Sequence, residues 1–148
     1  MGTVTPPFPP YPEVIPLAVS IVRAFLSSRR KEGAVFFNNH YRCKNIGPAE
    51  LKTMKQSGKD FLLLDVRTPQ ENAAEAIEGS YLIPLQELGH RVQELPRDTE
   101  IVIYCRVGNR SAYACAFLAG HGYQVKNLEG GILEWKMAGH PANSGAQI

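Results

Sequence analysis

The chain has 148 residues, 44% of them hydrophobic and 20% charged, with a formal net charge of +2. That length builds one domain with a sizeable core and little more, and the composition is that of a soluble globular protein. So small a net charge, with both signs spread along the chain, excludes the basic footprint of a nucleic-acid binder.

Residues 1–12, MGTVTPPFPPYP, hold five prolines and are expected to be extended or disordered. Residues 14–26 are apolar apart from Ser20 and Arg23, a run too short to span a bilayer, which takes roughly 20 apolar residues. No basic region precedes it as in a secretory signal, so the expectation is a soluble, cytoplasmic protein without stable membrane insertion. Across residues 16–31, Ser20, Arg23, Ser27, Arg30 and Lys31 recur at three- and four-residue steps, with Leu17, Ile21, Val22 and Phe25 on the other side. This predicts an amphipathic helix, opened by Pro16 and stopped by Gly33. It either packs on its own domain or docks a protein partner or a second copy; periodicity does not separate the two. The organisation expected is an N-terminal extension over 1–46, a domain over 47–140 and a flexible tail over 141–148.

From residue 47 the pattern becomes regular. Gly47-Pro48 opens a short helix through about Gln56. The apolar run Phe61–Leu64 leads into Asp65-Val66-Arg67 and reads as a strand buried on both faces. Residues 71–78 suit a helical turn, and Tyr81-Leu82-Ile83 a short strand ended by Pro84. Leu85, Leu88, Val92 and Leu95 have helical spacing, closed by Pro96. Ile101–Tyr104 is a second buried strand, Ser111–Ala119 a helix, Tyr123–Leu128 a third strand, and a last helix carries Leu133, Trp135 and Met137. Strands alternating with helices over short connections imply an α/β fold, a parallel sheet with helices on both faces. In such sheets ligands bind beyond the carboxyl ends of the strands.

Cys105 stands at such an end. The segment Cys105-Arg106-Val107-Gly108-Asn109-Arg110-Ser111 leaves a strand and enters a helix N-terminus, which presents unpaired N–H groups and partial positive charge. Gly108 permits a positive φ, so the N–H groups of the loop can turn inward as an anion nest. Arg106 and Arg110 add permanent charge. Such surroundings lower a cysteine pKa from about 8.5 into the range of roughly 3.5–7.5. The same nest suits a persulfide anion, one atom longer, and needs no metal or organic cofactor. The other cysteines have no such activators. Cys115, between Ala114 and Ala116, reads as a small core residue, and Cys43 lies in a polar stretch. Three cysteines without a C-x-x-C pair or a histidine cluster suggest neither zinc nor a disulfide framework, and a reducing compartment fits best.

Four motifs in order resemble the rhodanese family: Leu64-Asp65-Val66-Arg67 with Thr68-Pro69-Gln70-Glu71; Ile77-Glu78-Gly79-Ser80 with Ile83-Pro84-Leu85; the loop Cys105–Ser111; and Asn127-Leu128-Glu129-Gly130-Gly131-Ile132 with Trp135. They span residues 46–139. The resemblance implies a three-layer fold with a five-stranded parallel sheet, here with an extra N-terminal helix. It implies sulfane-sulfur transfer from a donor such as thiosulfate to cyanide or a thiol, by ping-pong turnover through a Cys105 persulfide. The implied cradle is the backbone of Arg106, Val107, Gly108, Asn109 and Arg110. Arg106 and Arg110 would hold the donor, and Ser111 would cap the helix or donate to the sulfur. Asp65 would fix a loop arginine, foremost Arg110, with Arg67 in support. Gly130, Gly131 and Trp135 are structural in this reading. The chain departs from the pattern at Asn72 and Ala76, where many members carry an aromatic residue and a histidine; both positions are read as structural.

Two other functions compete. Dual-specificity phosphatases use a loop cysteine and arginine at C-x-x-x-x-x-R spacing, but Cys105 and Arg110 are one residue closer, which suits a sulfur atom better than a phosphate. The second is a sulfur carrier or interaction module that works through the N-terminal helix and shows little activity of its own.

Overall fold

The strand expected at Ile101–Tyr104 lies in the middle of a parallel sheet, and the surrounding elements follow from it. The computed structural model describes residues 43–144. In chain order these form β1 (Lys44–Ile46), α1 (Pro48–Gln56), β2 (Phe61–Asp65), α2 (Pro69–Ala74), β3 (Ser80–Leu82), α3 (Leu88–Arg91), β4 (Glu100–Tyr104), α4 (Asn109–Gly120), β5 (Val125–Leu128) and α5 (Gly131–Met137). The five strands run in the order β1-β5-β4-β2-β3, every pair parallel. The Pro-rich start, the helix expected over 16–31 and the end of the tail lie outside the described residues.

In β4, Ile101, Val102, Ile103 and Tyr104 are all buried. Successive strand residues point to opposite faces, so both faces of the sheet are covered, as the uninterrupted apolar run predicts. One face carries a core of Leu63, Val102 and Tyr104 packed with Leu51 and Met54 of α1 and Ile132 and Trp135 of α5. α4 packs on β4 and β5 and buries Ala114, Cys115 and Leu118.

Three local readings change. The segment read as a helix from Leu85 to Leu95 is a string of short turns, 3-10 at Leu85–Glu87, α at α3 and 3-10 at Val92–Glu94. It keeps the apolar spacing that buries Leu88 and Val92 but no long hydrogen-bonded ladder. The helix expected over 71–78 starts earlier and ends at Ala74, because Thr68 caps it and Glu75 is extended. β1 has no counterpart in the sequence reading: three residues at a sheet edge, only Ile46 buried, give no apolar pattern. No described helix is long and apolar enough to cross a membrane.

Candidate active site

Beyond Tyr104 the chain turns sharply into α4. Gly108 makes the turn with φ 104°, in the left-handed region, and a Cβ there would press within 3.2 Å of the Gly130 nitrogen. The turn brings the Gly108 N–H to 3.1 Å from the Cys105 Sγ, and the Ser111 hydroxyl donates to the same sulfur at 3.3 Å. Cys105 is only 1% exposed. Burial pushes its pKa up, but the Ser111 hydroxyl and the N–H groups of Ser111, Gly108 and Val107 outweigh that and hold the thiol below its ordinary value. The side chains of Val107 and Asn109 are exposed, and Val107 acts on the sulfur through its backbone N–H.

α5 holds the loop from below. The N–H groups of Ile132 and Leu133, in its first turn, lack partners within the helix. They donate to the carbonyls of Cys105 at 2.9 Å and Arg106 at 3.1 Å. Gly131, with φ 61°, permits this approach, since a Cβ there would overlap both carbonyls. From β5, the Asn127 side chain donates to the Gly108 carbonyl at 3.4 Å and to the Asn45 side chain at 3.1 Å. Trp135 is buried and donates to the Pro141 carbonyl.

The structure corrects the partner of Arg110. Asp65 does not reach it. The buried Asp65 carboxylate accepts from the Arg67 backbone N–H (2.9 Å), Arg67 Nε (3.0 Å) and Nη2 (2.8 Å), Asn72 Nδ2 (3.0 Å) and the Tyr104 hydroxyl (3.2 Å). Five donors occupy both oxygens and leave no position for a second guanidinium. Burial above all, then the Asp65 charge, pushes Tyr104 up to about 12. Arg110 is instead gripped by Glu71, Nη1 to Oε2 and Nη2 to Oε1, both at 2.8 Å. Glu71 also accepts from the Thr68 N–H, while its own N–H donates to the Thr68 hydroxyl. The Arg110 contacts, foremost, pull the Glu71 pKa down to about 2. The role of Glu71 was missed, although Thr68-Pro69-Gln70-Glu71 is a capping-box sequence and marks this residue at a helix start. Of the two departures from the family pattern, Asn72 is a ligand of Asp65, and Ala76 pairs through its backbone with Asn143.

Arg106 is exposed and pairs with no carboxylate among the described residues. Beside it opens a cleft of about 270 Å³, walled also by Arg67, Glu71, Ile132 and Leu133. No group of three or more metal-ligating side chains occurs among the described residues.

The expectation of unpaired cysteines is overturned away from the loop. Cys43 and Cys115 form a disulfide with Cα atoms 5.5 Å apart, leaving Cys105 as the free thiol. Their separation of 72 residues hides the pairing. The β1–β5 pairing places the start of the described chain alongside the strand on which α4 packs, and sequence spacing does not reveal that topology.

The sheet's central strands, the loop and Cys105 all fall within a segment that matches one protein family. The family model for the rhodanese-like domain matches residues 47–138. The chain belongs to that family. A sulfurtransferase of Allochromatium vinosum is 45% identical over 84 residues, covering 56% of this chain and 78% of that protein. A putative sulfurtransferase of Bacillus subtilis, YtwF, is 32% identical over 100 residues, covering 68% and 97%. The crystal structure of a rhodanese-related protein from Thermoplasma volcanium superposes with a TM-score of 0.63 at 35% identity, covering 68% of this chain and 97% of the other. The rhodanese-like domain thus accounts for the sheet, its helices and the loop that holds Cys105.

Proposed function

We infer that this rhodanese-like domain is a sulfurtransferase that carries sulfane sulfur as a persulfide on Cys105, with thiosulfate as donor and a thiol or cyanide as acceptor. The observation that carries the reading is the Cys105 sulfur held by the Gly108 N–H and the Ser111 hydroxyl at the mouth of α4. Donors fixed in place before reaction stabilise an anionic sulfur without reorganising. In the first half-reaction the Cys105 thiolate attacks the sulfane sulfur of thiosulfate. The sulfur–sulfur bond of the donor breaks, and sulfite leaves with the electron pair. The persulfide that remains stays on Cys105, and Arg106, exposed on the same loop and lining the neighbouring cleft, offers an unpaired cation to the departing sulfite. In the second half-reaction the acceptor attacks the terminal sulfur, and Cys105 leaves as thiolate. Cyanide becomes thiocyanate, and a thiol becomes a persulfide.

Arg110 acts at a distance in this scheme. Glu71 occupies both its terminal nitrogens, so its charge reaches Cys105 through space while Arg106 meets the donor. At about 270 Å³ the cleft beside Arg106 leaves room for an acceptor thiol larger than thiosulfate.

Intact-mass analysis after thiosulfate treatment tests the reading. The protein should gain one sulfur atom, removed by cyanide with release of thiocyanate, and the Cys105→Ala variant should gain none. An unchanged mass in the native protein, or an equal gain in the variant, would overturn it.

A further inference from the structure

Cys43 and Cys115 take no part in the loop chemistry, yet the fold brings them together. Their Cα atoms are 5.5 Å apart, within the range that a disulfide spans. The two sulfurs differ in access. Cys43 is half-buried, just ahead of the edge strand β1, whereas Cys115 is 0% exposed on the inner side of α4. An accessible thiol beside an enclosed one is the arrangement of an attacking and a resolving cysteine.

We propose that Cys43 and Cys115 are a second sulfur site, a dithiol that reduces the sulfane sulfur of low-molecular-weight persulfides to sulfide and closes to the disulfide in doing so. The Cys43 thiolate attacks the terminal sulfur of a persulfide R–S–SH. The sulfur–sulfur bond breaks and R–SH leaves, so that the sulfane sulfur rides on Cys43. The Cys115 thiol then attacks the Cys43 Sγ, the new bond forms, and hydrosulfide departs with the electron pair. In sum, two thiols and R–S–SH give the disulfide, R–SH and hydrogen sulfide. The sulfane sulfur is the oxidant, gaining the two electrons that the thiols lose. Cys115, closed to solvent, reacts only with a partner already beside it. The site works without Cys105, but it is joined to it through α4. Cys115 lies one helical turn beyond Ser111, whose hydroxyl meets the Cys105 sulfur.

The test uses the full chain in a Cys105→Ser background, so that success or failure of the Cys105 persulfide does not enter. The protein is reduced, freed of reductant and mixed with glutathione persulfide. The expected result is one sulfide released per chain, loss of both remaining thiols, and a Cys43–Cys115 linked peptide in a non-reducing digest. Adding Cys43→Ser should abolish all three. Adding Cys115→Ala should stop the reaction at a Cys43 persulfide, seen as a mass gain of one sulfur. Should the Cys115→Ala protein fail to fold, the Cys43→Ser comparison and the linked peptide decide alone. Persistence of both thiols, or equal sulfide release from the Cys43→Ser protein, would overturn the proposal.

Discussion

At Cys105 two effects oppose each other. A nearly fully buried thiol should resist ionisation, yet hydroxyl and amide donors converge on this sulfur, and the donors prevail. Removing one donor while keeping the burial shifts the balance. Ser111 is itself 0% exposed, and alanine in its place deletes the hydroxyl with almost no change of volume. A hydrogen bond to a charged group contributes about 1.5–3 kcal/mol. The Ser111→Ala variant should therefore form the persulfide roughly ten- to a hundredfold more slowly at neutral pH, at about 1.4 kcal/mol per factor of ten. The acid limb of its pH–rate profile should move to higher pH, because the Cys105 pKa rises toward that of an ordinary thiol. Stopped-flow persulfide formation across pH separates this from a structural effect, which would lower the rate without moving the limb.

Among elements, α2 is short and owes its position to its first turn. Thr68 and Glu71 cap each other, Pro69 starts the helix, and the Glu71 carboxylate extends onward to Arg110 in α4. One side chain thus ties two helix starts together across the mouth of the site. The folded state lowers the Glu71 pKa to about 2 from 4.5. Its contribution is therefore complete above pH 4.5 and disappears as pH falls from there toward about 2. The Glu71→Gln variant should lose about 1 kcal/mol at neutral pH, the order of one cap or one well-formed pair, and melt roughly 4–8 °C lower. The gap between variant and native protein should close between pH 5 and pH 2 in thermal scans, and a gap that persists in acid would refute the assignment. This tie shows what the sequence can and cannot convey. β2, β4 and α4 were legible because each carries an apolar pattern between clear stops, and α1 because Gly47-Pro48 marks its start. The Cys105 loop was legible because its chemistry is local, a strand end, a glycine and a helix start within seven residues. The Glu71–Arg110 pair joins residues 39 apart and depends on how two loops meet above the sheet, which no periodicity encodes. Asp65 and Arg110 form as reasonable a pair on charge alone. What excludes it is that Arg67, two residues away, occupies the carboxylate first.

For the molecule as a whole, the Cys43–Cys115 bond is the longest-range covalent constraint. It joins the residue preceding the edge strand β1 to α4, so it closes a loop that contains β2, β3 and β4. β1 is only three residues long and buries one of them, too little to hold an edge strand firmly by packing. Tethering its start to α4 compensates, chiefly by restricting the unfolded chain. For a loop of this length the chain-entropy argument gives about 4 kcal/mol. With a urea slope of about 1–3 kcal/mol per M for a small domain, reduction should lower the unfolding midpoint by about 2 M. The expected result is a midpoint in reducing buffer well below that in oxidising buffer for the native protein, and no such difference for the Cys43→Ser variant. Because the site loop is held by α5 and β5 rather than by β1, the reduced protein should still form the Cys105 persulfide at moderate temperature. If reduction abolished persulfide formation at a temperature where circular dichroism shows the fold intact, α4 would depend on the tether for its position at the active site.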